Sequence, residues 1–127
     1  MGTPMPKTRR GPIEMAPLDL ETGWSQLPGF PDGLMVKLLA DDLDEGAKTG
    51  ARTRLVRFAP GTFTTDPLVH DYWEEVILLQ GRLAPRPEAA QGSDTALTYS
   101  CRPPGTPHGP FVSSDGCILL EFQYYLP

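Results

Sequence analysis

Residues 61–81 read GTFTTDPLVHDYWEEVILLQG. The stretch opens and closes on glycine, and it holds His70 and, four positions on, Glu74. Its second half carries the continuous apolar run Val76-Ile77-Leu78-Leu79, which makes Glu75 to Gln80 the strongest strand in the chain, with Arg82 to Ala84 continuing beyond Gly81. Unbroken rather than alternating hydrophobicity predicts a strand covered on both faces. On a helix, His70 and Glu74 would share a face. Here the flanking pattern is β, so the chain must bend tightly at Asp71–Trp73. His70 then ends one strand pointing inward, and Glu74 begins the next pointing inward. Strand parity turns Glu75 away.

The chain has two histidines. The second, His108, lies in another turn-bounded run, Pro103-Pro104-Gly105-Thr106-Pro107-His108. Imidazole and carboxylate are the nitrogen and oxygen ligands that borderline divalent metals take. His70, Glu74 and His108 thus form a candidate metal site built from three strand ends. The plainer alternative for each histidine is a hydrogen-bonded core residue; two of them in turn-bounded strand motifs, one with a carboxylate near it, favour ligation.

Outward from this centre the sequence reads as short strands and turns. Gly (13) and Pro (15) are abundant for 127 residues and oppose long helices. Ile13 to Leu20 alternates as a short strand or edge segment. Trp24 to Pro31 reads as an irregular cover packing its aromatic side chains on the core. Strands are expected at Gly33–Ala40, Thr53–Phe58, Thr62–Thr65, Ala96–Arg102 and Gly116–Tyr125. In the last, Cys117, Leu119, Glu121 and Gln123 share one side. Asp41 to Gly50 is acidic, but its spacing does not fit a calcium loop, and it reads as a solvated connection. Pro85 to Asp94 is a polar loop. Residues 1–12 read as a disordered leader and 13–127 as one all-β domain, a sandwich or small barrel.

The net charge of −5 argues against a nucleic-acid or anionic-membrane surface, since neither finds a basic patch here. No apolar run reaches membrane-spanning length and no signal core opens the chain, so a cytoplasmic location is the expectation. Two cysteines, Cys101 and Cys117, are too few for a disulfide framework and read as buried structural thiols.

Taken together, these motifs resemble the cupin superfamily. Gly61, His70, Glu74 and Gly81 fit its first motif, and Pro103, Gly105 and His108 its second. The EEVILLQG and RPPGTPHGPF runs and Gly116-Cys117 are similar to the ChrR-like cupin group, which covers the cupin domain of an anti-sigma factor and is similar to acetylacetone-dioxygenase-type proteins. The likeness spans Leu34 to Tyr125. It implies a single-domain cupin-type β-barrel, a double-stranded β-helix or jelly roll, that commonly pairs as a homodimer through its outer sheet.

One position departs from the pattern. The first histidine of the family's H-x-H is Leu68, which cannot ligate, and Val112 stands where the second motif often has Asn. The ligand set shrinks to His70, Glu74 and His108, a two-histidine, one-carboxylate triad. That set suits Fe(II) and also holds Zn(II) or Mn(II). Asp66, Asp71 and Tyr72 are substitute ligands, Asp66 the best placed by parity. Glu121 is either a second acid in the cavity or a partner of a neighbouring strand. The resemblance implies an Fe(II)-dependent dioxygenase acting on a small carbonyl or diketone-like compound, with no organic cofactor. The alternatives are a non-catalytic ligand or oxidant sensor and a metal-free relic.

Overall fold

The computed structural model describes residues 10–86 and 94–127. Among the described residues nine strands run in chain order: β1 Ser25–Gln26, β2 Leu34–Asp41, β3 Ala51–Phe58, β4 Thr62–Phe63, β5 Trp73–Pro85, β6 Asp94–Thr95, β7 Thr98–Arg102, β8 Phe111–Ser113 and β9 Cys117–Tyr124. There is no helix among the described residues. Every strand pair is antiparallel, in the order β1-β2-β3-β9-β5-β8-β4, with β6 and β7 also paired to β5. The sheet curls into an open half-barrel.

The 13-residue β5 makes this curl possible. Its first part pairs with β9 and β7, and its end, Ala84–Pro85, pairs with β8. Between them the register shifts after Leu78, and Gly81 follows with φ +83°. A bulge and a left-handed residue are what bend one strand across two walls. A Cβ on Gly81 would lie 2.0 Å from the Gly116 carbonyl oxygen and 2.8 Å from Cys117 Cα. Backbone cannot move aside as a side chain can. Gly81→Ala is therefore expected to cost at least about 2 kcal/mol, summing a disfavoured φ and a backbone clash; urea denaturation of the purified variant measures it.

The inner face is graded by row. Register places Phe58 opposite Cys117, then Val56 and Leu78 on either side of Leu119. These residues, with Leu34, Val36 and Val76, form the buried apolar core, against which Leu27 and Phe30 pack. The next row holds Arg54, Glu121 and Val76, and the last Arg52, Gln123, Glu74 and Arg102. One end of the half-barrel is therefore apolar and the other charged.

Several expectations are corrected. β5 is not covered on both faces: Glu74, Val76 and Leu78 are buried, whereas Glu75, Ile77 and Leu79 are half-buried. The N-terminal segment covers a different part of the outer face. There Lys37 Nζ donates to the Asp19 and Thr22 carbonyls (2.5 and 2.7 Å), and Arg57 lies 4.7 Å over the Trp24 ring. Ile13 to Leu20 is not a strand, and Ile13, Met15 and Leu18 are exposed. Pro17 removes one of the donors a ladder would need. Cys101 is exposed and only Cys117 is buried; both are free thiols. Cys101 sits on β7 opposite Glu75, so parity turns it outward and gives the inner place to Arg102. Asp41 is not solvated: it ends β2, is buried, and accepts the Leu43 N–H at 3.1 Å. Ala96 and Leu97 form a turn before β7. Most of the leader and of the Pro85–Asp94 loop lies outside the described residues.

Candidate metal centre

Three local features bring the site together. Asp71 and Tyr72 form the expected bend, after which Trp73 starts β5 and Glu74 points inward. Leu68 and His108 exchange backbone hydrogen bonds of 2.7 and 2.9 Å, which ties the His70 segment to the His108 segment. The His70 carbonyl then accepts the Gly105 N–H at 2.9 Å, so the Pro-Gly turn is fixed beside it.

One ligand atom from each of His70, Glu74 and His108 lies within 4.8 Å of the other two. His70 Nε2 is 3.7 Å from Glu74 Oε2, and His108 Nε2 is 3.5 Å from Glu74 Oε1. The ring centroids are 4.8 Å apart at 61°. Each ring is held from behind. His108 Nδ1 is 3.2 Å from the Thr106 carbonyl, so it carries the proton and donates. That tautomer leaves a lone pair on Nε2, aimed at a carboxylate. Tyr72 stacks on His70 at 4.1 Å and 9°.

The electrostatics agree with an open cation site. Burial lowers both imidazole pKa values below the ordinary 6.5, despite the opposing pull of Glu74. For Glu74, burial raises the carboxyl, but the Gln123 hydrogen bond and the charges of His70, Arg102 and His108 outweigh it and hold the group below its ordinary value. At neutral pH the site thus presents two neutral imidazoles and a carboxylate. Three lone-pair donors converge with no proton between them, and the residues fit a divalent metal. Because folded-state histidine pKa values are depressed, each ring contributes stability that is present above about 6.5 and lost as pH falls through the folded value. The expected result in metal-free protein is two imidazole NMR titrations, both with midpoints under 6.5. A midpoint above that value would contradict the buried, neutral reading.

Glu74 is itself oriented. Arg102 Nη1 donates to Oε1 at 2.8 Å, and Gln123 Nε2 donates to Oε2 at 2.6 Å. Gln123 Oε1 in turn accepts Arg52 Nε–H at 2.6 Å, and Arg52 Nη2 is 3.4 Å from the Tyr72 hydroxyl. Burial raises the Tyr72 hydroxyl pKa to about 12, which keeps it neutral where it accepts from Arg52. One row deeper, Arg54 Nε donates to Glu121 Oε1 at 2.8 Å. Burial raises the Glu121 carboxyl, while Arg54 opposes it.

The other sequence candidates fall apart from the triad. Asp66 is exposed and lines the cavity without joining the cluster. Asp71 faces away, bonded to Lys48 and to the Tyr125 hydroxyl. Tyr72 backs His70 and Glu121 pairs with Arg54 on β3; neither joins the cluster, but both line the cavity. The sequence reading missed Arg52, Arg54, Arg102 and Gln123 as cavity residues. Parity offered a signal, since Arg52 and Arg54 alternate in phase with Val56 and Phe58, but charged residues are ordinarily placed outside.

The triad opens into a cavity of about 390 Å³ whose walls are mainly apolar, among them Leu27, Phe30, Leu34, Phe58, Leu68 and Phe111. An all-β half-barrel with two histidines and a glutamate gathered at one end of such a cavity defines a small cupin with a candidate metal centre. More narrowly, the chain belongs to the ChrR Cupin-like domain family, whose model matches residues 19–126. No curated protein matches it.

Solved structures share the fold at low identity. An acetylacetone dioxygenase from Acinetobacter johnsonii is 18% identical, with a TM-score of 0.65 over 92% of this chain and 78% of that one. An RmlC-like cupin from Shewanella frigidimarina NCIMB 400 is 17% identical, with a TM-score of 0.64 over 90% and 93%. The anti-sigma ChrR, seen in complex with Rhodobacter sphaeroides SigE, is 19% identical, with a TM-score of 0.59 over 81% of this chain and 49% of that one. No helix among the described residues is long and apolar enough to cross a membrane.

Proposed function

We propose that this chain is a metal-dependent cupin enzyme that oxidises a small carbonyl or diketone-like compound with dioxygen. The observation that carries the proposal is the convergence of His70, Glu74 and His108 at the charged end of an apolar-walled cavity. A divalent metal there, Fe(II) ahead of Zn(II) or Mn(II), supplies Lewis acidity and, as iron, access to dioxygen. The chain's own residues do the rest. The Thr106 carbonyl fixes the His108 tautomer, Tyr72 holds the His70 plane, and Arg102 with Gln123 aim the Glu74 carboxylate. Leu68 puts an apolar group where the related motif has a ligand, and the apolar walls exclude bulk water from the bound substrate. The likeness to an acetylacetone dioxygenase supports the substrate class.

The test is anaerobic reconstitution with Fe(II), metal analysis, then oxygen-electrode assays with pentane-2,4-dione and related diketones. Retention of about one iron per chain and substrate-dependent oxygen uptake are expected. Protein that retains no first-row metal under these conditions would end the reading. The family's ChrR member supports a second reading, a non-catalytic sensor. His108→Ala separates the two, because an enzyme loses turnover whereas a sensor has no turnover to lose. Pairing of two copies through the outer sheet belongs to either reading. Trp73 stacks on Tyr124 there, and Tyr99 is 60% exposed. Light scattering is expected to give a dimer mass.

A further inference from the structure

The cavity wall holds three arginines, and two of them are answered. Arg54 pairs with Glu121 and Arg102 with Glu74, each at 2.8 Å. Arg52 is not. Its hydrogen-bond partners are neutral, the Gln123 side-chain oxygen and the Tyr72 hydroxyl, its guanidinium lies 5.9 Å over the Tyr72 ring, and no carboxylate of the described residues lies within 4 Å of it. Asp41, its register partner on β2, spends an oxygen on the Leu43 N–H. Arg52 nonetheless lines the cavity and is half-buried. A guanidinium drawn partly out of water with neutral partners costs free energy unless an anion answers it. Its planar fork matches a carboxylate in two parallel hydrogen bonds.

The other end of the same cavity is apolar. From Arg52 the inner face of β3 runs through Arg54 and Val56 to Phe58, roughly 20 Å of strand, and Leu27 and Phe30 close that end. A ligand that satisfies both ends has a single negative head and a hydrocarbon body.

We infer that the cavity binds an amphipathic monocarboxylate, its carboxylate on Arg52 beside the Gln123–Glu74 bridge and its apolar body toward Leu27, Phe30 and Phe58. This rests on the same cavity being the substrate site proposed above and narrows the substrate class. An enolised diketone without a carboxylate would leave Arg52 unanswered. The carboxylate contact does not use the triad, so metal-free and metal-loaded protein both show it.

The test compares monocarboxylates from butyrate to octanoate, and phenylacetate, with their primary amides, by calorimetric titration into full-length protein. Chelator-treated and metal-loaded samples are run side by side. At least one acid binds about tenfold or more tightly than its amide in both samples, as a charge-assisted bidentate contact requires. Arg52→Gln removes that preference and Arg52→Lys restores part of it. Equal binding of acid and amide, or no acid binding, overturns the inference, as does a preference that survives in Arg52→Gln. If Arg52→Gln fails to fold, the acid–amide ratio in the native chain still decides. A preference confined to metal-loaded protein places the carboxylate on the triad instead and also overturns it. A metal-content failure with the acid preference intact sinks the enzyme reading alone.

Discussion

Replacing His108 by alanine is expected to weaken binding of a divalent transition metal by more than about a hundredfold. Loss of a group that merely supports a ligand costs about 10–100-fold, and loss of one of only three ligands costs more. The fold should survive. The ring faces the cavity and makes one hydrogen bond, to the Thr106 carbonyl. The backbone bridge from His108 to Leu68 does not depend on the side chain. Competition with a chromogenic chelator measures the affinity, and circular dichroism checks the fold. Leu68→His is the reciprocal experiment. Leu68 lines the cavity and is tied to His108 through its backbone, so a histidine there adds a fourth donor and tightens binding. Unchanged metal affinity in His108→Ala would remove the triad from any role in coordination.

Glu121→Leu is expected to cost about 3–5 kcal/mol of folding stability, because it takes from the buried Arg54 guanidinium its paired carboxylate and leaves only the more distant Glu74 charge. Both side chains are nearly out of water, at 13% and 11% exposure. The double variant Arg54→Met/Glu121→Leu should recover most of that loss, since it removes the stranded charge and joins a row flanked by Val56, Val76 and Leu119. Urea unfolding of the two single variants and the double variant gives the coupling. Simple additivity would show that solvent reaches the pair and that the cavity is wetter than its walls suggest.

The sheet grading explains why some features were legible and others not. Glycine and proline punctuation located β2, β3, β5 and β9 within a residue or two, because φ > 0 and missing donors are local properties. The bend at Asp71–Tyr72 followed from β pattern on both sides of His70 and Glu74. Hydrophobicity misled where it depends on distant cover. The apolar run of β5 implied two buried faces, but the N-terminal segment lies over β2 and β3 instead. Arg52 and Arg54 carried the inward parity, yet their charge pointed outward until Gln123 and Glu121 were seen opposite them.

By itself the sequence determined an all-β chain, its turns, and the two histidines and one glutamate that the cupin-like spacing singles out. These are matters of local backbone preference and of which side chains carry lone pairs. Only the tertiary structure decided that β9 lies between β3 and β5, because strand order depends on non-local pairing that no period in the sequence encodes. The same pairing sets Arg52, Gln123, Glu74 and Arg102 in one row and leaves one guanidinium without an opposing charge. A charge balance is a property of neighbours in space, and register alone chooses those neighbours.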